Sequence, residues 1–436
     1  MEAPTKVPAV SIAPMMKHTD LHYRYFVRLL TRHTQLYTEM VSLGAVLNNP
    51  QEVLAYNVEE HPITVQLGGS NPAGLARAAR VCQEYGYDEI NLNVGCPSQR
   101  VSTRCFGAKL MLDPPLVSEI MSAMYREVDI PVTAKCRIGV DELDSYEYLY
   151  DFIDTVATGV MPDAAHVEGG HRPRPAEGGG GEKDESRDRG ENEEGDRDDD
   201  AKVEQWLTNE AEANVMKEQE WVERRERKAR RQAEGQRVVD HFVVHARKAL
   251  LLGRFSTLDN RRIPELKYDT VYKLKREERF SDLRFTINGG VETYEQIAHH
   301  LANGVDGVML GRIATKDPWL LTQVDARFFG KANPCLSRRE VLEKYCDYVD
   351  KHTQERKLVK RGLLVPIVPL FHGKKDGRRF RQELNRALDE DKRSRANKGE
   401  RENWETSAWD VVEEALKGIS DDTLNERPPT CDLFDS

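Results

Sequence analysis

The sequence predicts a (β/α)8 barrel, an α/β TIM barrel, with a C-terminal helical domain and a long insertion between strands five and six. Three observations carry that expectation. Eight short β-type segments can be marked, most of them followed by a helical pattern, which is the sequence form of this barrel. Several of them are nearly continuous apolar runs, as expected for parallel strands buried on both faces. No G-x-G-x-x-G follows the first, which disfavours a doubly wound sheet.

The eight segments are Ser11–Met16, Leu36–Val41, Ile63–Gly69, Glu89–Gly95, Pro131–Ile138, His241–Ala246, Arg284–Asn288 and Gly307–Leu310. The helix between the third and fourth is the best defined. Asn71 caps it, Pro72 suits its first turn and Gly86 ends it. Leu75, Ala78, Ala79, Cys82 and Tyr85 recur at helical spacing and form its buried stripe.

After the fifth strand the pattern breaks. Residues 160–237 are poor in apolar side chains, and Glu177 to Asp200 holds twelve acidic and four basic residues around a run of four glycines, Gly178–Gly181. Such a composition does not build a core. Met216 to Arg237 then turns basic (ERRERKARRQ) and reads as one exposed helix, either a solvated face or an RNA- or partner-contacting arm. The expected units are a barrel formed by 1–159 and 238–330, the charged insertion 160–237, a helical domain 331–418 and a loose acidic tail 419–436.

Bulk properties narrow the function classes. Net charge is −10 over 436 residues, yet Arg338 to Arg401 holds 19 Lys/Arg against 11 Asp/Glu, densest at KKDGRRFR (374–381). Arg378, Arg379 and Arg381, with the aromatics Phe371, Phe380 and Trp404, suit a phosphate backbone; a solvated helical face is the alternative. The longest near-apolar run, Gly362 to Phe371, is too short for a membrane span, which needs about 20 residues. The N-terminus MEAPTKVPAV has no basic lead and no apolar stretch, so a cytoplasmic location is expected, an organellar one staying open. Seven cysteines without a C-x-x-C pair argue against a disulfide framework and against bound metal.

In such a barrel the chemistry sits at the C-terminal ends of the strands. Those ends read Ala13-Pro14-Met15, Glu39, Gln66, Asn93 with Cys96, Lys135 with Arg137, His245 with Arg247, Asn288-Gly289-Gly290 and Gly311-Arg312. The last two end strands seven and eight, where barrels build a phosphate site from backbone N–H groups that glycine leaves approachable. Arg312 adds a fork of donors. Lys135 closes an apolar strand and needs an anionic partner, either a bound ligand or a structural ion pair with Glu39 or Asp88. Gln66 offers a donor and an acceptor to a ring edge. Cys96 projects from a bend held by Gly95 and Pro97, and reads either as a buried inert thiol or as a general acid. Cys105 follows nine residues later.

Taken together, A-P-M, L-Y-T-E-M-V, Q-L-G-G-S, D-E-I-N-L-N-V-G-C-P-S, K-C-R-I-G-V-D, H-A-R-K-A, I-N-G-G and M-L-G-R resemble the tRNA-dihydrouridine synthases. The Y-T-E-M and H-A-R-K-A versions resemble their A-type subfamily. The resemblance covers roughly residues 10–157 and 238–330 and, more loosely, 336–386. It implies an FMN-binding barrel and a tRNA-binding helical domain; a monomer is expected. Ala13, Pro14, Met15, Gln66, Lys135, His245, Asn288, Gly289, Gly290, Gly311 and Arg312 would contact the flavin, and Cys96 would be the proton donor. Asn93, Arg247, Lys248, Asn260, Arg261 and Arg262 would lie near the RNA.

The implied reaction reduces the C5=C6 bond of D-loop uridines, at tRNA positions 20 and 20a, with NADPH as reductant and a uridine flipped into the barrel mouth. The sequence departs from the family pattern at His18, in the loop S-T-R-C-F-G, at Leu364-Val365-Pro366 and in the insertion. Two rivals are a small-molecule FMN-dependent oxidoreductase, which would not need the basic domain, and a catalytically silent tRNA-binding protein, against which the intact Cys96 and Lys135 speak.

Overall fold

The structure, a computed structural model, describes residues 9–98, 106–159, 222–253, 255–356, 360–398 and 407–429. Eight strands form one parallel sheet: β1 (Val10–Ile12), β2 (Leu36–Ser42), β3 (Ile63–Gly68), β4 (Glu89–Asn93), β5 (Val132–Arg137), β6 (His241–His245), β7 (Arg284–Asn288) and β8 (Gly307–Leu310). Seven parallel ladders link them in the order β1-β8-β7-β6-β5-β4-β3-β2. A bridge between Ser11 and Gln35, with Ile12 N donating to Gln35 O at 2.9 Å, brings the two edges together. The fold is the expected (β/α)8 barrel.

β1 is shorter than Ser11–Met16. Pro14 has no N–H to give a ladder, and Met15 already opens a turn in which His18 N and Thr19 N both donate to its carbonyl at 3.0 Å. The helix after β3 forms as expected. It spans Pro72–Glu84, Asn71 accepts from Gly74 N, and Gly86 takes a φ of 90° that its lack of a Cβ permits. Leu75, Ala78, Ala79 and Cys82 are buried on it, whereas Tyr85 is half-buried and Tyr87 takes the inner place.

Outward-facing strand residues such as Ile90, Leu92, Ala134 and Phe285 join the core under the surrounding helices. The barrel interior is different. Ala13, Tyr37, Val243 and Met309 form a small apolar cluster of their own, and much of the remaining interior is polar: Gln35, Thr64, Gln66, Asn91, Thr133, His241 and Thr286 are all buried. Each has a hydrogen-bond partner, as buried polar groups must.

The basic stretch before β6 does not stand free. Residues 222–233 are helical, but Arg225 pairs with the buried Glu127 at 2.6 Å and Arg224 with Asp129 at 2.5 Å. Lys228, only 8% exposed, donates to the carbonyls of Tyr125 and Val128. Those carbonyls end the helix Pro114–Glu127, which leads into β5. The helix 222–233 therefore packs at the barrel end opposite the strands' C-termini. The helix is largely exposed, as expected, but it is anchored: Arg225 and Lys228 satisfy a buried carboxylate and helix-end carbonyls. Residues 160–221, with the acidic run, lie outside the described residues.

Beyond the barrel come helices at Arg338–Arg356, Gly377–Lys398 and Ala408–Leu416. Their core is continuous with that of the barrel. Tyr25 stacks on Tyr348 with centroids 3.9 Å apart. Arg338, 1% exposed, lies 3.8 Å over the Trp319 ring and pairs with Glu426. Phe371 and Phe380 are buried edge to face against each other at 4.7 Å. They are core residues, which corrects their reading as part of an RNA face; Trp404 lies outside the described residues. Arg378 and Arg379 are exposed and Arg381 half-exposed, although Arg379 lies across Gly418. Cys335 is disulfide-bonded, whereas Cys82, Cys96, Cys136 and Cys346 are free. No described helix is long and apolar enough to cross a membrane.

Candidate functional site

The strands' C-terminal ends open into one cavity of about 1610 Å³. Ala13, Pro14 and Met15 line it from the end of β1, Gln66 from β3, and Asn93 and Cys96 from β4 and the loop after it. Lys135 and Arg137 reach it from β5, His245 and Arg247 from β6, Asn288, Gly289 and Gly290 from β7, and Gly311 with Arg312 from β8. Arg261 also faces it. Lys248, Asn260 and Arg262 do not line it, nor do the three arginines of the helical domain.

Alternation along a strand explains who points inward. Thr133, Lys135 and Arg137 are two apart on β5, and Glu89, Asn91 and Asn93 two apart on β4. Arg137 received no role from the sequence, although its spacing from Lys135 was the signal for one. Its Nε donates to Gly95 O at 2.8 Å and its Nη1 to Lys248 O at 2.9 Å. It thereby ties the Cys96 turn to the loop after β6. Gly95 sits so close to β5 that an added Cβ would lie 3.3 Å from the carbonyl oxygen of Lys135.

The Cys96 turn is fixed further by Asn93, whose Oδ1 accepts from Gly95 N at 3.2 Å and Cys96 N at 3.0 Å. Ala108 N donates to Cys96 O at 2.9 Å. Cys96 itself is partly exposed toward the cavity. Cys105 lies outside the described residues. Asn260 is fully buried, and its amide holds the loop by bonding Leu250 N at 2.7 Å and Leu250 O at 3.0 Å. Lys248 pairs with Asp144 at 3.4 Å.

At the phosphate-type corner, Gly289 and Gly290 have φ of 117° and 71°. A Cβ on Gly289 would sit 2.6 Å from the His245 ring, and one on Gly290 equally close to Leu266. Tyr268, which carried no sequence signal, donates to Gly289 O at 2.6 Å and holds this loop. An added Cβ at Gly311 would meet nothing within 4 Å, so the backbone there faces open space.

Asp20, Glu39, Glu52 and Glu292 also line the cavity, but the cations nearest the glycine corner have no carboxylate partner among the described residues. Lys135 donates to Asn288 Oδ1 at 3.1 Å, a neutral partner. Among the described residues no carboxylate pairs with Lys135, Arg137, Arg247, Arg261 or Arg312. The structural alternative for Lys135 is thus absent: Asp88 pairs with His61 at 2.7 Å, and Glu39 accepts from Lys17 N. Burial, with Arg137 beside it, pulls the Lys135 ammonium down to about 8. Burial and the neighbouring Arg137, Lys135, Arg247 and Arg312 hold His245 well below the usual histidine range, so its ring is neutral at pH 7. Arg261 Nε is buried without a partner. Unpaired buried donors and uncompensated cations beside an open glycine backbone fit an anionic ligand.

A family model described as dihydrouridine synthase matches residues 11–161 and 225–406. The match resumes inside the helix 222–233, in keeping with its place on the barrel. The chain is 40% identical over 375 residues to the tRNA-dihydrouridine(20/20a) synthase of Shewanella oneidensis, covering 86% of this chain and 87% of that one. The proteins of the same name from Vibrio vulnificus and Synechocystis are 40% identical over 78% of this chain and 80% of theirs, and 38% over 88% and 90%.

Proposed function

This chain belongs to the dihydrouridine synthase family, within its A-type branch, and we propose accordingly that it reduces uridines of tRNA to dihydrouridine, using FMN and NADPH. The observation that carries the reading is the cavity itself. Lys135, Arg247, Arg261 and Arg312 bring positive charge, without carboxylate partners among the described residues, to a cavity that Gly289, Gly290 and Gly311 also line, and Cys96 faces the same space.

The phosphate of FMN fits the corner formed by Gly289, Gly290, Gly311 and Arg312, where approachable backbone and a guanidinium fork meet. Ala13, Pro14, Met15, Gln66, Asn288 and the neutral His245 are the residues we assign to the rest of the cofactor. When bound, FMN supplies the hydride for the uracil double bond, having taken it from NADPH. The chain's own part is orientation and proton supply. The Lys135 ammonium stands at the cavity wall with a neutral partner, where it can balance negative charge. Cys96, held by Asn93, Arg137 and Ala108, donates the proton to C5 as C6 is reduced.

A uridine must leave its stack to enter so enclosed a mouth. Arg247 and Arg261 at the rim, and exposed Arg262 beside it, are the groups we assign to its backbone, with Arg378, Arg379 and Arg381 of the 331–418 domain further off. Positions 20 and 20a are the uridines we propose, after the names of the relatives. The test is restoration. Transfer RNA from cells lacking dihydrouridine synthases should gain dihydrouridine at those positions when incubated with this protein, FMN and NADPH. Absence of any dihydrouridine with flavin-loaded protein would overturn the reading.

A further inference from the structure

Beneath the mouth runs a line of hydrogen bonds that all point the same way. Cys96 N and Gly95 N donate to Asn93 Oδ1, at 3.0 and 3.2 Å. Asn93 Nδ2 donates to Gln66 Oε1 at 2.7 Å, and Gln66 Nε2 to Asn91 Oδ1 at 2.9 Å. Asn91 Nδ2 donates to Thr133 Oγ1 at 2.9 Å, and Thr133 Oγ1 to Glu89 Oε1 at 2.8 Å. The chain crosses from β4 to β3, back to β4 and on to β5, and ends at the foot of β4.

Its direction is set at both ends by groups with no choice. A backbone N–H can only donate, so Asn93 must turn its oxygen to the Cys96 turn. A carboxylate oxygen accepts, so Thr133 gives its proton to Glu89 at 2.8 Å in preference to Ile90 O at 3.4 Å, and Glu89 also accepts from Tyr37 at 3.1 Å. Between these ends each carboxamide has a single orientation that satisfies both neighbours. A flip of Gln66 would set oxygen against oxygen at Asn91 and nitrogen against nitrogen at Asn93.

Asn91 is the link on which this depends. It is fully buried and outside the cavity lining, and it meets that lining through Gln66. We propose that Asn91 is a positioning residue: by accepting from Gln66 it locks which end of that carboxamide meets the ligand, and through Gln66 and Asn93 it holds the Cys96 turn. The proposal rests on the proposed function only for what the locked groups then do; the locking itself is a property of the apoprotein.

Two variants separate locking from filling. Asn91→Asp keeps the acceptor for Gln66 whether or not the carboxyl is protonated. Asn91→Leu fills similar space and keeps none. A residue that merely packs would tolerate Leu better, since Asp brings a charge into a buried site. Positioning demands the reverse order.

The first readout is the rate at which Cys96, identified in its own peptide, reacts with iodoacetamide in the flavin-free full-length protein. Asn91→Leu should raise it several-fold, while Asn91→Asp stays near wild type. In the FMN-loaded enzyme, Asn91→Leu should shift the flavin absorbance and lower kcat by about 10- to 100-fold with KM for tRNA little changed, as misplacement of a reacting group does. If Asn91→Leu fails to fold, Thr133→Val against Thr133→Ser repeats the comparison one link lower, with the hydroxyl as the only difference that counts. Wild-type labelling and kcat in Asn91→Leu, or Asp behaving worse than Leu, would overturn the proposal. Inactive wild-type enzyme with the labelling order intact would instead overturn the proposed reaction and leave the positioning role standing.

Discussion

Lys135 Nζ reaches across the barrel mouth to Asn288 Oδ1 at 3.1 Å, joining β5 to the strand that carries the glycine corner. The amide in turn donates to Met309 O at 2.8 Å, so its oxygen is turned toward the lysine. A half-buried ammonium with only a neutral partner is a costly arrangement. It is consistent with a site that awaits negative charge.

That arrangement gives a pH dependence. Folding lowers the Lys135 pKa from its usual value to about 8, mainly through burial, so the apoprotein holds the charged form at a cost below that value. An anionic ligand favours the ammonium and raises its pKa again. FMN affinity should therefore be greatest below pH 8 and weaken as pH rises through it. Lys135→Met should bind FMN more weakly and lose this dependence. Titrating apoprotein with FMN by fluorescence quenching from pH 6.5 to 9.5 checks both; a flat wild-type profile would count against the role.

Purified protein should be yellow, with flavin released by heat. Enlarging Gly289 or Gly290 should empty it, because a side chain there meets the His245 ring or Leu266 and the φ values suit glycine alone. Gly311→Ala has open space at its Cβ, so it should fold normally and lose flavin only by crowding the ligand. Flavin content per chain, read from absorbance, distinguishes these. Full flavin loading in Gly311→Ala would remove that backbone from the phosphate site.

Cys96→Ala should bind FMN and tRNA yet lose about 10²- to 10⁴-fold in uridine reduction, the usual cost of a missing general acid. Cys105→Ala should be far milder. Oxidation of NADPH by the flavin, followed separately, should survive in both. Exchange of the two phenotypes would move the acid to Cys105.

The barrel was legible because parallel strands buried on both faces announce themselves as short apolar runs between helices. Strands β7 and β8 have the bounds expected of them, whereas β1 stops early because Pro14 interrupts it. Residues at strand ends could be read from position alone, and all eleven assigned to the flavin reach one cavity. What the sequence hid lies in partners distant along the chain. The Asn91–Gln66 bond spans 25 residues and the Tyr268–Gly289 bond 21, with no local pattern for either. Asn260 sits in a basic cluster that suggests RNA, yet its amide is committed to Leu250.

Two basic segments, Arg378–Arg381 and the helix 222–233, could meet RNA by composition. Charge-neutralising Arg378, Arg379 and Arg381 should weaken tRNA binding and flatten its salt dependence, since a phosphate that meets no protein cation keeps its counterions. Flavin content and NADPH oxidation should not change. Deleting residues 177–200 should leave folding and FMN binding intact, because that composition has too little apolar content to join a core. The helix 222–233 should behave differently. Burial pushes the Glu127 carboxyl up, but hydrogen bonds from Arg225 and Arg80 more than offset this and hold it below the usual range. Its contribution to stability is thus present above the ordinary glutamate pKa and lost as pH falls through the lowered one. Arg225→Ala with Lys228→Met should leave Glu127 and the end of Pro114–Glu127 short of partners. The result should be a lower Tm at pH 7, with a smaller drop near pH 3, and tRNA affinity close to wild type. Salt titrations of tRNA binding beside thermal melts on both sets of variants decide it. If removing the Arg225 and Lys228 cations abolished binding without lowering Tm, the segment before β6 would be the RNA-binding arm after all.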